Sequence, residues 1–240
     1  MRTKIQILWP WELPEKIEGI TVVIDVLSAT SNIAWFLSHN VKELVIVNER
    51  NVHVALERYK GALLIGESFD VSLKQYFSAS NSPADISRVD VAYKTVLYMT
   101  YNGSAVIEEA LRRGKGEVIT GSFTNFEGIL SCLKSFYLAG VTLIPSGCVD
   151  VPQLIPDKKS REDWLCAELL QNKISGKDAD SEKYIEEAQM FIDSHYKYDK
   201  VKKKVDIKMV TSLNANPKVA VCRRLDDGFI YIETLPLVLK

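Results

Sequence analysis

The 240 residues carry 30 Lys and Arg against 31 Asp and Glu, for a formal net charge of -1, and 47% of them are hydrophobic. That is enough apolar material for a sizeable core in one large domain or two small ones, while a balanced charge gives no global field that would favour nucleic acid or an anionic membrane surface. No apolar run approaches the ~18 residues of a membrane span, and MRTKIQILWPWELPEK lacks the long apolar core of a secretory signal, so a cytoplasmic protein is expected.

In chain order, short β-branched apolar runs recur at 4–8 (KIQIL), 20–27 (ITVVIDVL), 43–47 (ELVIV), 62–66 (ALLIG), 94–100 (KTVLYMT), 116–120 (GEVIT) and 141–145 (VTLIP). Their length and composition suit buried parallel strands. Between most of them lie segments of helical period, such as SAVIEEALRRG and NFEGILSCLKSFYLAG. Strand and helix in alternation predict an α/β fold with a mostly parallel or mixed sheet flanked by helices. The stretch 67–93 breaks the rhythm and reads as a long ordered excursion, a frequent place for function.

Beyond Pro156 the pattern becomes helical over 157–204, with SREDWLCAELLQ and SEKYIEEAQMFIDSHY as two helices and KYDKVKKK as a solvated, charged face or tail. The ending, 217–235, reads as two strands around the DDG turn, an edge hairpin of the same sheet. With no repeat and no low-complexity linker, a single domain over 1–240 is the simplest organisation. The four cysteines are scattered without zinc spacing. The three histidines, His39, His53 and His195, stand alone in helical segments, so histidine acid–base chemistry is not the first expectation.

One residue resists this bland description. Asp25 sits in the run TVVIDVLSATSN, and burying an ionised carboxylate without partners costs several kcal/mol. The SATSN that follows can cap a helix through Ile33, Phe36 and Leu37, leaving free N–H groups at its start. In open parallel sheets ligands bind beyond the strands' carboxyl ends. There the sequence places SATSN, GESFD, TYNGS, GSFTN and PSGCVD in turn. Each alone is an ordinary turn or cap, but together they would line one rim, with Asp25 and Glu67 reaching it and Glu162 and Asp163 joining from a helix start. Such oxygen donors suit Mg²⁺, although Glu162 and Asp163 also suit a helix N-terminus in their own right. Ser28 and Thr30 would offer hydroxyls to a phosphate. The stretch DVLSAT lacks the second aspartate of a DxDxT phosphatase motif, since Leu27 occupies its place, and no GxxxxGK[ST], strand-following GxGxxG or GxSxG is present.

The ordered set VIDVLSATSNI, IGE, SNSP, YNGSAVI, GSFTN and REDWLCA, from about residue 20 to 170, resembles the 2-phosphosulfolactate phosphatase (ComB-like) family. The resemblance implies a three-layer α/β fold and Mg²⁺-dependent hydrolysis of a phosphorylated sulfonate in coenzyme M biosynthesis. By position, Asp25 matches the acid of the family's VIDVLRAT and Glu67 that of its GER. Asn81 and Ser82 match its NSP; Asn102, Gly103 and Ser104 its TNGT; Ser122 and Asn125 its SFxN; Glu162 and Asp163 its ED pair. The expectation is then that Asp25, Glu67 and Glu162 hold the metal, that Asp25, Glu67 and Asp163 serve in catalysis, and that the partner is a small phosphate ester. A homo-oligomer stays open. Three departures stand out: Ser28 where the family has arginine, Glu67-Ser68-Phe69-Asp70 where it has ERGG, and FSASNSP for FDxGNSP. Two guanidiniums suited to clamping a multiply charged substrate are absent, with Lys74, Lys94, Lys158 and Arg161 as candidate replacements. The leading expectation is a Mg²⁺-dependent phosphomonoesterase of altered substrate; the alternatives are a non-catalytic anion-binding relative and a hydrolase of another phosphorylated acid.

Overall fold

Ile20–Ile24 forms a strand, β2, in which every residue is buried, because both faces of the run are apolar. In the computed structural model, which describes residues 4–135, 140–147 and 160–235, the same logic yields β1 (Ile5–Ile7), β3 (Glu43–Ile46), β4 (Leu63–Gly66), β6 (Thr95–Met99), β7 (Val118–Gly121) and β8 (Val141–Pro145). Each falls on a run read from the sequence. The excursion after Glu67 holds a 3₁₀ turn (Val71–Tyr76), a short strand β5 (Phe77–Ala79) and a short helix α3 (Pro83–Ile86). The remaining helices are α1 (Ala29–Ser38), α2 (Val52–Arg58), α4 (Asn102–Arg113), α5 (Phe126–Ser135), α6 (Arg161–Ile174), α7 (Ser181–His195) and α8 (Lys200–Thr211); the last two strands are β9 (Ala220–Arg224) and β10 (Ile230–Thr234).

All ten strands join one sheet in the order β1-β8-β2-β7-β9-β10-β3-β6-β4-β5. The C-terminal hairpin is therefore not at an edge, as its position in the chain suggested, but at the centre, with β9 antiparallel to β7 and β10 antiparallel to β3. Its apolar residues Ala220, Val221, Cys222, Ile230 and Ile232 are all buried, which only a central position with helices on both faces provides. Pairing within β1-β8-β2-β7 and within β3-β6-β4-β5 is parallel. Three successive antiparallel pairings between the blocks make the two run in opposite directions.

Alternate residues of each strand enter different cores. On β2, Ile20, Val22 and Ile24 pack with α5 and α6 through Phe126, Ile129, Leu165 and Leu169. Val23 joins the opposite face, where Ile33 and Phe36 of α1 and Val106, Ile107 and Ala110 of α4 meet apolar residues from both blocks, including Ile46, Ile65 and Tyr98. On the outer face of the second block, Val45, Leu64, Leu97 and Met99 pack on Val52 and Ala55 of α2. This is a three-layer arrangement, helices on both faces of a mixed sheet. Five strand steps separate β2 from β6, and at ~20–25° of twist per step the accumulated rotation turns the ends of the two oppositely running blocks towards each other. Packing of α1 on α4, and of α4 on β2, closes the arrangement.

The basic run KYDKVKKK is not a tail. It opens α8, where Asp199 caps the first turn by accepting from the Lys202 amide at 2.8 Å, and Lys202 and Lys203 pair with Asp85 and Asp193. Among the described residues no helix is long and apolar enough to cross a membrane.

Candidate active site

Strand β2 ends at Ile24, so Asp25 stands at its carboxyl end, where α1 begins four residues later. The carboxylate is buried but well met. The Ala29 amide donates to its Oδ1 at 3.1 Å, the amides of Ser28 and Gly103 also donate to it, and the hydroxyl of Ser146 is shared between it and Asp163. Two helix starts, α1 and α4, thus point their free N–H groups at one acid, as the partial positive charge at helix N-termini favours. Burial nevertheless outweighs these donors and raises the Asp25 pKa above the usual carboxylate value. Gly103 allows the approach: a Cβ there would lie 2.3 Å from the Ala29 Cβ and 2.8 Å from Asp25 Oδ2.

Glu67 arrives from the other block. Gly66, at φ +133, has no room for a side chain, since a Cβ would meet the Met99 carbonyl at 1.8 Å, and the Glu67 amide donates to that carbonyl at 2.9 Å. The Glu67 carboxylate accepts from the Tyr101 amide and from Asn81 Nδ2 at 3.4 Å. Burial, and then the charge of Asp25, raise its pKa. Asn81 is the hinge of this half of the site. Its Oδ1 accepts from Tyr98 at 2.5 Å and from Asn32 at 3.2 Å, and its carbonyl from Ser28 Oγ at 2.8 Å.

From α6, Asp163 and Glu162 complete the group. Asp163 Oδ1 accepts from the Val26 amide at 2.7 Å, and its Oδ2 from the Gly147 amide at 3.3 Å and Ser146 Oγ at 3.4 Å. Both oxygens are engaged, although burial, with Glu162 and Asp25 nearby, drives its pKa well above the ordinary value. Glu162 accepts from Tyr196 at 2.7 Å on Oε1, while Oε2 is buried with no hydrogen-bond partner among the described residues. Burial pushes this carboxyl up to about 7. The four acids named from the sequence are brought together electrostatically: Asp25 acts on Glu67, Glu162 and Asp163 alike.

Other sequence-chosen residues have different duties. The Thr30 hydroxyl accepts from the Asp25 amide at 2.9 Å and lies 2.7 Å from the Gly121 carbonyl, so it locks β2 to β7 rather than facing a ligand. Ser82 donates to Asp206 at 2.8 Å, tying α3 to α8. Ser122 and Asn125 cap the 3₁₀ turn Phe123–Asn125, and Asn125 Nδ2 also reaches the carbonyls of Thr120 and Lys218. Ser104 is bonded to Thr100 at 2.9 Å, and Asn102 opens α4. None of the proposed cationic replacements reaches the acids among the described residues. Lys94 lies before β6, opposite its carboxyl end, and pairs with Asp90; Arg161 pairs with Glu187; Lys74 is exposed in the 3₁₀ turn; Lys158 lies outside the described residues. The sequence reading missed Tyr196 and Tyr98, which carry no charge or motif, and named Asn32 and Ser146 only as parts of the SATSN and PSGCVD segments. It also missed the buried carboxylate of Asp206, which accepts from Ser82, Ala84 and Tyr198; its KKKVDIKM context shows nothing of that burial.

The donor chemistry can be tested against a Mg²⁺ ion. Among the described residues no three acids, histidines or cysteines form a ready cage. Mg²⁺ rarely needs one, taking one or two carboxylates with water and substrate phosphate. Three buried acids, Asp25, Glu162 and Asp163, with the half-buried Glu67, none of them ion-paired among the described residues, and a Glu162 Oε2 that has no hydrogen-bond partner among those residues, fit an ion of this kind.

A family model described as 2-phosphosulpholactate phosphatase matches residues 8–230. A probable 2-phosphosulfolactate phosphatase of Thermoplasma acidophilum is 30% identical over 168 residues, covering 69% of this chain and 70% of the relative. Another, of Thermotoga maritima, is 34% identical over 114 residues, about half of each chain at 48%. That of Thermoplasma volcanium is 26% identical over 169 residues, 70% of this chain and 74% of the relative.

Proposed function

Since the chain belongs to the 2-phosphosulpholactate phosphatase family, we propose that it is a Mg²⁺-dependent phosphomonoesterase acting on a small phosphate ester, with a substrate preference shifted from the family's. The observation that carries this reading is the convergence of Asp25, Glu67, Glu162 and Asp163 from three separate segments without an ion-paired cation among the described residues. Mutually repelling buried carboxylates are costly, and a divalent cation is the partner that would offset that cost.

In this reading Asp25 and Glu67 hold the ion, and Glu162 Oε2, which has no hydrogen-bond partner among the described residues, is a further ligand. The bound ion would polarise the phosphoryl group. Asp163 acts as a positioning residue, fixing the Val26 and Gly147 amides that frame Asp25. The amides at the starts of α1 and α4 hold the Asp25 carboxylate in place rather than binding the phosphoryl oxygens themselves. The overall change is the addition of water across the ester P–O bond, giving inorganic phosphate and the free alcohol. With a pKa near 7, Glu162 can hold or give up a proton at neutral pH.

The test is phosphate release from a panel of monoesters, phosphosulfolactate included, with Mg²⁺ and with excess chelator. Chelator-sensitive turnover of any ester supports the reading. Binding of a phosphate ester without turnover of any of them would instead identify a non-catalytic anion-binding protein.

A further inference from the structure

Beside the acids, but lined by none of them, lies a cavity of about 450 Å³, within the ~300–1,000 Å³ typical of small-molecule sites. Its floor is apolar, formed by Ile46, Met99 and Ile230 from three strands. One wall is an aromatic stack: the rings of Phe69 and Tyr101 lie 3.9 Å apart at 27°. Tyr101 joins the cavity to the site, because its ring forms the wall while its backbone amide donates to the Glu67 carboxylate. Ser104 belongs to the same wall, one residue beyond the Gly103 that touches Asp25.

Phe69 stands where the family pattern has glycine and is 72% exposed. A large ring left in solvent at the mouth of a cavity with an apolar floor and a polar rim is surface held ready for a ligand. Charge at the mouth is balanced. Glu49 accepts from Ser68 Oγ at 2.8 Å, Glu108 is paired with Arg224 at 2.9 Å, and Arg50 supplies the second positive group. Ser68, placed where an anion-clamping arginine would be, is thus bonded to an acid and cannot replace it.

Building on the phosphatase reading, we propose that this cavity receives the alcohol portion of the phosphate ester, and that this portion is an aromatic ring or an apolar group of similar bulk. The phosphoryl group would lie at Asp25 and Glu67, with the ring against Phe69 and Tyr101. A three-carbon acid would leave most of such a cavity unfilled and its apolar floor wet.

The experiment compares kcat/KM for 1-naphthyl phosphate and for 2-phosphoglycolate, with Mg²⁺, in the full chain and in Phe69→Ala and Ala105→Trp. Ala105 is exposed on α4 and lines the cavity, so tryptophan there fills the space with little demand on the core; thermal melts confirm folding. The expected result is a wild-type preference for the naphthyl ester of at least about tenfold, equivalent to ~1.4 kcal/mol, with the ratio falling about tenfold in each variant. Equal use of both esters by the wild type, or an unchanged ratio in both variants, overturns the proposal. If no ester is hydrolysed, the phosphatase reading fails by itself, and the cavity is judged by NMR titration with 1-naphthol. Binding weakened about tenfold by Ala105→Trp supports the cavity's role, and absence of binding to the wild type overturns it.

Discussion

The carboxylate of Asp163 accepts a 2.7 Å hydrogen bond from the backbone amide of Val26, 137 residues earlier in the chain. Through its second oxygen, which accepts from the Gly147 amide at 3.3 Å, the same side chain joins the carboxyl ends of β2 and β8. It fixes the peptide that follows Asp25. Asp163→Ala would leave two buried amides without acceptors, each loss costing about 1–3 kcal/mol. Urea unfolding should show a lower midpoint and a loss of unfolding free energy of that order, and an unchanged midpoint would mean that the clamp contributes nothing to stability.

Asp25 is the acid to which the other three are electrostatically tied. Asp25→Asn should therefore keep the fold, since an amide oxygen can still accept from Ala29, but lose Mg²⁺-dependent phosphate release by at least about 100-fold, the loss of ~3 kcal/mol of preorganised electrostatics. A folded variant with unchanged turnover would remove Asp25 from the mechanism.

Glu162 gives a pH dependence whose sign can be worked out. Its folded pKa, about 7, lies above the ordinary 4.5, so the folded state binds the proton more tightly than the unfolded chain does. Its contribution is present below about pH 4.5 and is lost as pH rises through 7; Asp25, Glu67 and Asp163, also raised, act in the same direction. Glu109, lowered to about 2 by Arg112 and Arg113, acts oppositely but only in acid. Without divalent cations the protein should melt higher at pH 5.5 than at pH 8. Mg²⁺ should raise Tm more at pH 8, where the acids are ionised and can bind it. Equal Mg²⁺ shifts at the two pH values would count against these acids as ligands.

Ser28 donates to the Asn81 carbonyl at 2.8 Å and Ser68 to Glu49 at 2.8 Å, so neither replaces the charge-assisted grip of the arginines in the family pattern. Each lost contact is worth about 1.5–3 kcal/mol. Phosphosulfolactate should accordingly show a KM at least about a hundredfold above the micromolar range. Efficient turnover with a micromolar KM would show that the arginines were dispensable.

The sequence by itself determined every strand but the short β5, because a short β-branched run such as ITVVI or TVLYM has one way to hide both faces, between helices. It also marked Asp25, Glu67, Glu162 and Asp163, since a carboxylate at the end of an apolar run or at a helix start needs a chemical reason to be there. Apolar periodicity carries no information about which strands pair. For that reason the C-terminal hairpin, last in the chain, could not be read as the centre of the sheet, nor could the two parallel blocks be seen to run in opposite directions. Only the tertiary structure decided how their ends meet, through sheet twist and the close approach of α4 to β2 at Gly103. It also separated look-alike polar residues: Thr30, Ser82, Ser122 and Asn125 are turned to structural bonds, while one oxygen of Glu162 has no hydrogen-bond partner among the described residues. A hydroxyl or amide has the same chemistry in either role, and its direction is set by the packing of residues far away in the chain.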